Sequence, residues 1–86
     1  QNYPNPFNPK TEIRFDISIQ DHATLKIYNV KGQEVITLIN RVVNPGSHNV
    51  SWNGVNANGR ELSSGMYFYE LVVGDISLKK KLVLLK

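Results

Sequence analysis

The stretch from residue 50 to residue 73 constrains the fold of this chain more than any other. It runs Val-Ser-Trp-Asn-Gly, then a polar loop with Asn58-Gly59, then a strand-like run of aromatic and apolar residues. Large rings bury far more apolar area than aliphatic side chains, so in a small domain they decide where the core forms. We expect Trp52, Tyr67 and Tyr69 to lie in that core and the other strands to cover them.

The rest of the chain consists of short segments in which apolar and polar residues alternate. Residues 12–19 are the clearest case, with four apolar side chains on one side and four polar ones on the other. Alternation with a period of two is typical of half-buried strands. The predicted strands cover residues 12–19, 23–30, 33–39, 47–52, 66–73 and 76–85.

Two of these strands do not have a simple alternation. In residues 33–39 the apolar phase is unsettled, which predicts a bulge or an edge position. In the last strand the apolar side changes from Ile76 and Leu78 to Val83 and Leu85, on either side of the lysines. We therefore expect a twist or bulge near Lys80.

The predicted fold is all-β: an immunoglobulin-like antiparallel β-sandwich of about seven strands. Turn signals recur every eight to twelve residues and there is no helical periodicity. A small closed barrel is the alternative. The expected turn glycines are Gly32, Gly46, Gly54, Gly59 and Gly65. The expected core residues are Phe15, Ile27, Trp52, Tyr67, Tyr69 and Leu71.

Residues 1–11 form a proline-rich lead-in, and residues 12–86 a single domain. Prolines at positions 4, 6 and 9 rule out a helix or a central strand there. A floppy linker would lack Tyr3 and Phe7, so we expect this extended segment to pack on the domain, with a mobile linker as the alternative. Eighty-six residues can bury one modest core and leave no room for a deep cleft.

Charge and composition exclude several functions. The chain has ten basic and seven acidic residues, and four of the basic residues are lysines within the last eight positions, where there is no acidic residue. Nucleic-acid binding needs basic groups spread over a surface, so we do not expect it. No apolar run reaches the length of a transmembrane helix. The absence of cysteine leaves the redox compartment open.

No set of residues predicts catalysis or a cofactor. His22 and His48 have no cysteine or carboxylate cluster beside them, whereas zinc needs three or four convergent ligands. Ser63 or Ser64 could be combined on paper with His48 and Glu61, but serines beside a glycine are usually turn residues. The run from Asn56 to Glu61 has the alternating oxygens of a calcium loop but a single carboxylate, which favours an ordinary turn.

The least ordinary feature is the C-terminal run, which combines cations with apolar residues. It consists of Lys79, Lys80, Lys81, Leu82, Val83, Leu84, Leu85 and Lys86. One interpretation is an edge strand that lysines protect from aggregation. The other is a recognition strand that a receptor binds by strand addition and charge.

Five sequence blocks together resemble one known family. The first two are Asn2-Tyr3-Pro4-Asn5-Pro6-Phe7-Asn8-Pro9-x-Thr11-x-Ile13-x-Phe15 and Ile27-Tyr28-Asn29-x-x-Gly32-Gln33-Glu34-Val35. The other three are Gly46-x-His48-x-Val50-x-Trp52-x-Gly54, Ser64-Gly65-x-Tyr67-x-Tyr69-x-Leu71 and the closing Lys-Leu-Val-Leu-Leu-Lys. In this order they resemble the type A C-terminal sorting domain of the type IX (Por) secretion system. The middle block is also similar to the immunoglobulin-like domain of the flagellar hook-capping protein.

The resemblance implies a non-catalytic domain that directs a larger cargo across the outer membrane of a Gram-negative, Bacteroidetes-like bacterium. Its implied partners are N-terminal cargo domains of the same chain, the outer-membrane type IX translocon and a sortase-like peptidase. The implied destination is the cell surface or the medium, and residues 79–86 would be the part recognised by the translocon.

A structural module retained on the mature protein is the alternative function. It would mediate assembly or bind surface polysaccharide, and an open edge strand makes self-association plausible.

Overall fold

The computed structural model describes residues 11–85, which form six strands. They are β1 (Thr11–Ile17), β2 (Asp21–Tyr28), β3 (Glu34–Val43), β4 (Gly46–Trp52), β5 (Gly65–Val73) and β6 (Ile76–Leu84). β1 and β4 form a two-stranded sheet, and a four-stranded sheet has the order β3-β2-β5-β6. All pairs are antiparallel. No helix within residues 11–85 is both long and apolar enough to cross a membrane.

The core lies between the two sheets, which confirms the predicted all-β sandwich. Trp52 is 1% exposed and contacts Tyr67 edge to face, with ring centroids 5.3 Å apart. The indole Nε1 donates a 2.9 Å hydrogen bond to the Val55 carbonyl, so the buried ring leaves no polar group unpaired. Of the other residues expected in the core, Ile27 and Leu71 are buried, and Phe15 and Tyr69 pack against it partly buried.

Strand β3 has both features that its unsettled phase predicted. It lies at one edge of the four-stranded sheet. Its pairing with β2 shifts register at Leu25/Lys26 and again at Ile27/Tyr28. The strand also continues to Val43, beyond the predicted end at residue 39, because Val43 is buried and residues 41–43 pair with the start of β2.

The bulge predicted near Lys80 is wrong. β6 pairs with β5 in unbroken register from Val73↔Ile76 to Gly65↔Leu84. Leu82 and Leu84 are the buried residues, in phase with Ile76, whereas Val83 and Leu85 are exposed. Residues 82–85 are apolar on both sides of the strand, so period-two counting could not show which side is buried.

Candidate functional site

Strand β6 is an edge strand whose two faces differ. Among the described strands it pairs with β5 alone, so one backbone edge lacks a strand partner. Alternation places Ser77, Lys79, Lys81 and Val83 on the outer face of the sheet. Such an edge can accept a further strand.

The inner face of β6 is anchored at its C-terminal end and uncovered at its start. Leu82 and Leu84 are 8% and 1% exposed, while Leu78 and Ile76 are 41% and 72% exposed on the same side. Lys80 shares this side by alternation and is exposed. The three consecutive lysines therefore project from both faces of one edge, in a strand held by its last leucines.

Gly54 explains why Leu84 is fixed. The glycine has a φ of +78°, and a Cβ added to it would lie 2.9 Å from Cδ1 of Leu84. The loop after Trp52 therefore packs its backbone directly against the end of β6. The expected turn glycines Gly32, Gly46, Gly59 and Gly65 also have positive φ values.

Polar and aromatic groups surround Lys79 on the outer face. Its Nζ lies 5.6 Å from the centroid of the Tyr28 ring. The Tyr28 hydroxyl donates a 3.4 Å hydrogen bond to Glu70 Oε1, and Ser77 Oγ donates to Glu70 Oε2 at 3.2 Å. Burial, followed by the negative charge of Glu70, raises the pKa of Tyr28, since both disfavour the phenolate.

Sequence reasoning missed Tyr28 and Glu70 as neighbours of the terminal lysines. Tyr28 lies in β2 and is about fifty positions away from Lys79 along the chain. They meet because β5 pairs with both β2 and β6. No local pattern indicates that β2 lies beside β5, whereas the position of Glu70 opposite Lys79 follows from the short turn between the predicted strands 66–73 and 76–85. Lys86 and residues 1–10, which include the aromatic lead-in, lie outside the described residues.

The histidines occupy separate sheets and have partners of their own. The ring Nε2 of His22 lies 2.9 Å from Asn40 Oδ1. His48 stacks on Phe15 with ring centroids 5.2 Å apart, and its Nε2 lies 2.7 Å from the Asn44 carbonyl. Within residues 11–85, no group of three or more His, Cys, Asp or Glu side chains is placed to hold a metal.

The asparagine-rich loop, residues 56–61, has the hydrogen bonds of a turn. The Asn56 Oδ1 accepts bonds from the backbone N–H groups of Asn58 and Arg60, both at 3.0 Å. This is how asparagine stabilises local turns. Ser63, proposed above as part of a nucleophile set, uses its carbonyl to accept a 2.7 Å bond from the Tyr67 hydroxyl.

Comparison with protein families decides the class of the chain. Residues 1–85 match the family described as the secretion system C-terminal sorting domain. The chain belongs to this family. It is a sorting domain of type IX secretion cargo proteins, a non-catalytic module that implies an attached cargo, the secretion machinery and passage across the outer membrane.

A solved structure supports the fold of the sorting domain. FlgD from Xanthomonas campestris, whose structure was described for its hook capping essential for flagellar assembly, aligns with a TM-score of 0.68 and 20% identity. The alignment covers 90% of this chain and 56% of that one, so the sorting domain spans just over half of the FlgD structure. No curated protein matches the chain.

Proposed function

We propose that the type IX translocon in the outer membrane binds this domain at strand β6. This binding brings the attached cargo to the translocon. The main observation behind this proposal is that β6 is an edge strand with three consecutive exposed lysines, while Leu82 and Leu84 at its end are buried in the core. An unpaired edge offers main-chain hydrogen bonds, and alternating side chains add specificity. The recognition residues are Lys79, Lys80, Lys81, Val83 and Leu85, with Leu82 and Leu84 as anchors and Lys86 beyond the described range.

The lysines also favour a foreign partner over a second copy. Two β6 strands paired antiparallel around Lys80 would bring three cations of one chain against three of the other. Like charges opposite one another destabilise strand pairs. A partner strand or loop with carboxylates would instead gain from the same cations, so we expect an acidic binding surface on the translocon.

Export of a reporter tests this proposal. Residues 1–86 are fused behind a periplasmic reporter in a bacterium that has the type IX machinery. The test variant carries Lys79→Gln, Lys80→Gln and Lys81→Gln, which removes charge and keeps long polar side chains. We expect the reporter to accumulate in the periplasm, because the receptor loses its charge partner.

The matched control removes the same number of exposed cations elsewhere. It replaces Arg14, Lys31 and Arg41 by Gln. Both variants lower the net charge equally, and circular dichroism checks that both fold. Recognition through β6 would be contradicted if both variants were exported as well as the unchanged domain. It would also be contradicted if both lost export to the same extent.

The later steps follow from the same proposal. A sortase-like peptidase removes the domain and leaves the cargo at the cell surface or in the medium. The intact mass of the exported protein tests this step, because cleavage removes a fragment that includes residues 12–86. An exported protein that keeps the full mass would instead support the retained structural module.

A further inference from the structure

The two sheets of the sandwich are unequal in width. Neighbouring strands lie about 4.8 Å apart, so a two-stranded sheet covers only about half of a four-stranded one. The uncovered part lies beside β1 as a groove of about 610 Å³. Its apolar lining comes from Phe15, Ile17, Leu71, Val73, Ile76 and Leu78.

The groove belongs to the core side of the sandwich. Ile76 and Leu78 lie on the same side of β6 as the buried Leu82 and Leu84. They are nevertheless 72% and 41% exposed, and Ile19, which also lines the groove, is 67% exposed. Apolar residues on an inward-facing side normally pack under a neighbouring strand. One strand beside β1 would cover them.

We propose that this groove is the docking site of the Tyr3–Phe7 segment of the same chain. In an extended segment, residues 3, 5 and 7 share one face and direct their N–H groups to one edge. Pro4 and Pro6 fall on the opposite edge, where they remove the donors. One edge of the segment can therefore pair with β1, and the other edge, which lacks donors at the prolines, would be the outer edge of the sheet. Both aromatic rings lie on a single face.

The length of the segment fits the position of the groove. The described chain begins at Thr11, the first residue of β1, whose other edge has no partner among the described strands. Asn8, Pro9 and Lys10 are left as a three-residue connection between Phe7 and Thr11, a common length for a hairpin loop. Phe7 then lies opposite Thr11 and Tyr3 opposite Phe15, and residues directly opposite one another in an antiparallel pair share a face. Four residues from Phe7 back to Tyr3 span about 13 Å, as do the four from Thr11 to Phe15. Tyr3 thus reaches the level of Phe15, where the groove begins.

Docking would also set the direction in which the cargo leaves, a consequence that depends on the proposed function. Thr11 pairs with Trp52, and Gly54 contacts Leu84, so β1 starts at the end of the sandwich where β6 finishes. An undocked lead-in would leave the cargo beside the recognition end. A docked lead-in runs back along β1 and moves the junction toward the other end, which keeps β6 accessible.

A spin label on the lead-in tests the docking directly. The chain has no cysteine, so Asn2→Cys introduces a single attachment site in the 86-residue protein. In NMR spectra we expect paramagnetic broadening of backbone amides around Phe15, Ile17 and Ile76. Amides around Leu84 lie about 26 Å from Ile76 along β6 and should broaden much less.

A matched pair of variants isolates the aromatic rings. Replacing Tyr3 and Phe7 by Ser in the labelled protein should abolish the selective broadening, whereas Asn5→Ser should keep it. Broadening that is absent, uniform or centred on Leu84 would overturn the proposal. A mixed sample tests whether a second copy fills the groove. It combines spin-labelled protein without ¹⁵N and ¹⁵N protein without a spin label, and broadening in this sample would also overturn docking within one chain. Export is not measured here, so failure of docking is distinguishable from failure of β6 recognition.

Discussion

Leu84 is the last residue of β6 and Leu85 follows it directly, so these two identical residues provide a strict test of how the end of the strand is oriented. Leu84 is 1% exposed and Leu85 is 75% exposed. Truncating a buried leucine to alanine costs about 2–5 kcal/mol through lost burial and the remaining cavity. An exposed substitution costs about 0.5 kcal/mol or less. We therefore expect Leu84→Ala to destabilise the domain severely and Leu85→Ala to leave it nearly unchanged.

The size of the domain makes this difference easy to measure. A chain of 86 residues has a total unfolding free energy of about 4–13 kcal/mol at typical values per residue. In a domain of this size, 1 kcal/mol shifts the melting temperature by about 4–8 °C. Leu84→Ala should therefore lower the melting temperature by at least about 8 °C, and Leu85→Ala by less than about 4 °C.

Fluorescence of Trp52 provides the assay. It is the only tryptophan and is 1% exposed, so unfolding transfers it from the core to water. Thermal and urea unfolding of both variants are followed by its emission. The reverse order, with Leu85→Ala the more harmful change, would mean that β6 is turned over and that Val83 and Leu85 face the core. Equal small losses would mean that the end of β6 is not anchored.

Three further predictions concern the remaining parts of the domain. Gly54→Ala should lower the melting temperature more than Gly59→Ala, because both glycines have positive φ but only the first substitution places a methyl group against Leu84. Thermal unfolding of the two variants measures this difference, and equal losses would contradict the contact between Gly54 and Leu84. The pKa of Tyr28 should lie above the ordinary tyrosine value of 10.0, and Glu70→Gln should lower it. The measurement is the ultraviolet absorbance of the phenolate as a function of pH, with the titration curve of the Tyr28→Phe variant subtracted. The stability that this raised pKa contributes is complete below about pH 10 and is lost as the pH rises through the folded-state value. Millimolar calcium should leave the melting temperature unchanged, since the side-chain oxygen that begins the asparagine-rich loop already accepts two backbone hydrogen bonds; a clear rise would reveal a site.

Local patterns in the sequence were sufficient for the strands and for the class of fold. The alternation in residues 12–19 and the turn residues around Gly46 are local signals, and the corresponding strands β1 and β4 lie close to the expected positions. The phase of β6 was not predictable in this way because residues 82–85 are apolar on both sides. The unbroken pairing with β5 decides which side is buried, because it places Leu82 opposite the buried Tyr67, and the loop at Gly54 packs against Leu84 on the same side.

The candidate site was predictable in its residues and not in its surroundings. The lysines are visible as a run of letters, but their position at an open edge depends on the order of all four strands in the large sheet. The groove beside β1 depends on the division of six described strands into two and four. Both are properties of pairing between distant segments, for which the chain has no local signal.

The alternation of β6 separates the effects of folding and recognition on export. A receptor that binds the folded domain can contact Lys79, Lys81 and Val83, whereas Leu82 and Leu84 are covered by the core. A receptor that binds residues 79–86 as an unfolded peptide would contact every side chain. Leu84→Ala at a temperature where the domain stays folded should therefore preserve export if the folded strand is recognised. Loss of export from that folded variant, with the exposed Val83→Ala harmless, would instead indicate recognition of the peptide after β6 has left the sheet.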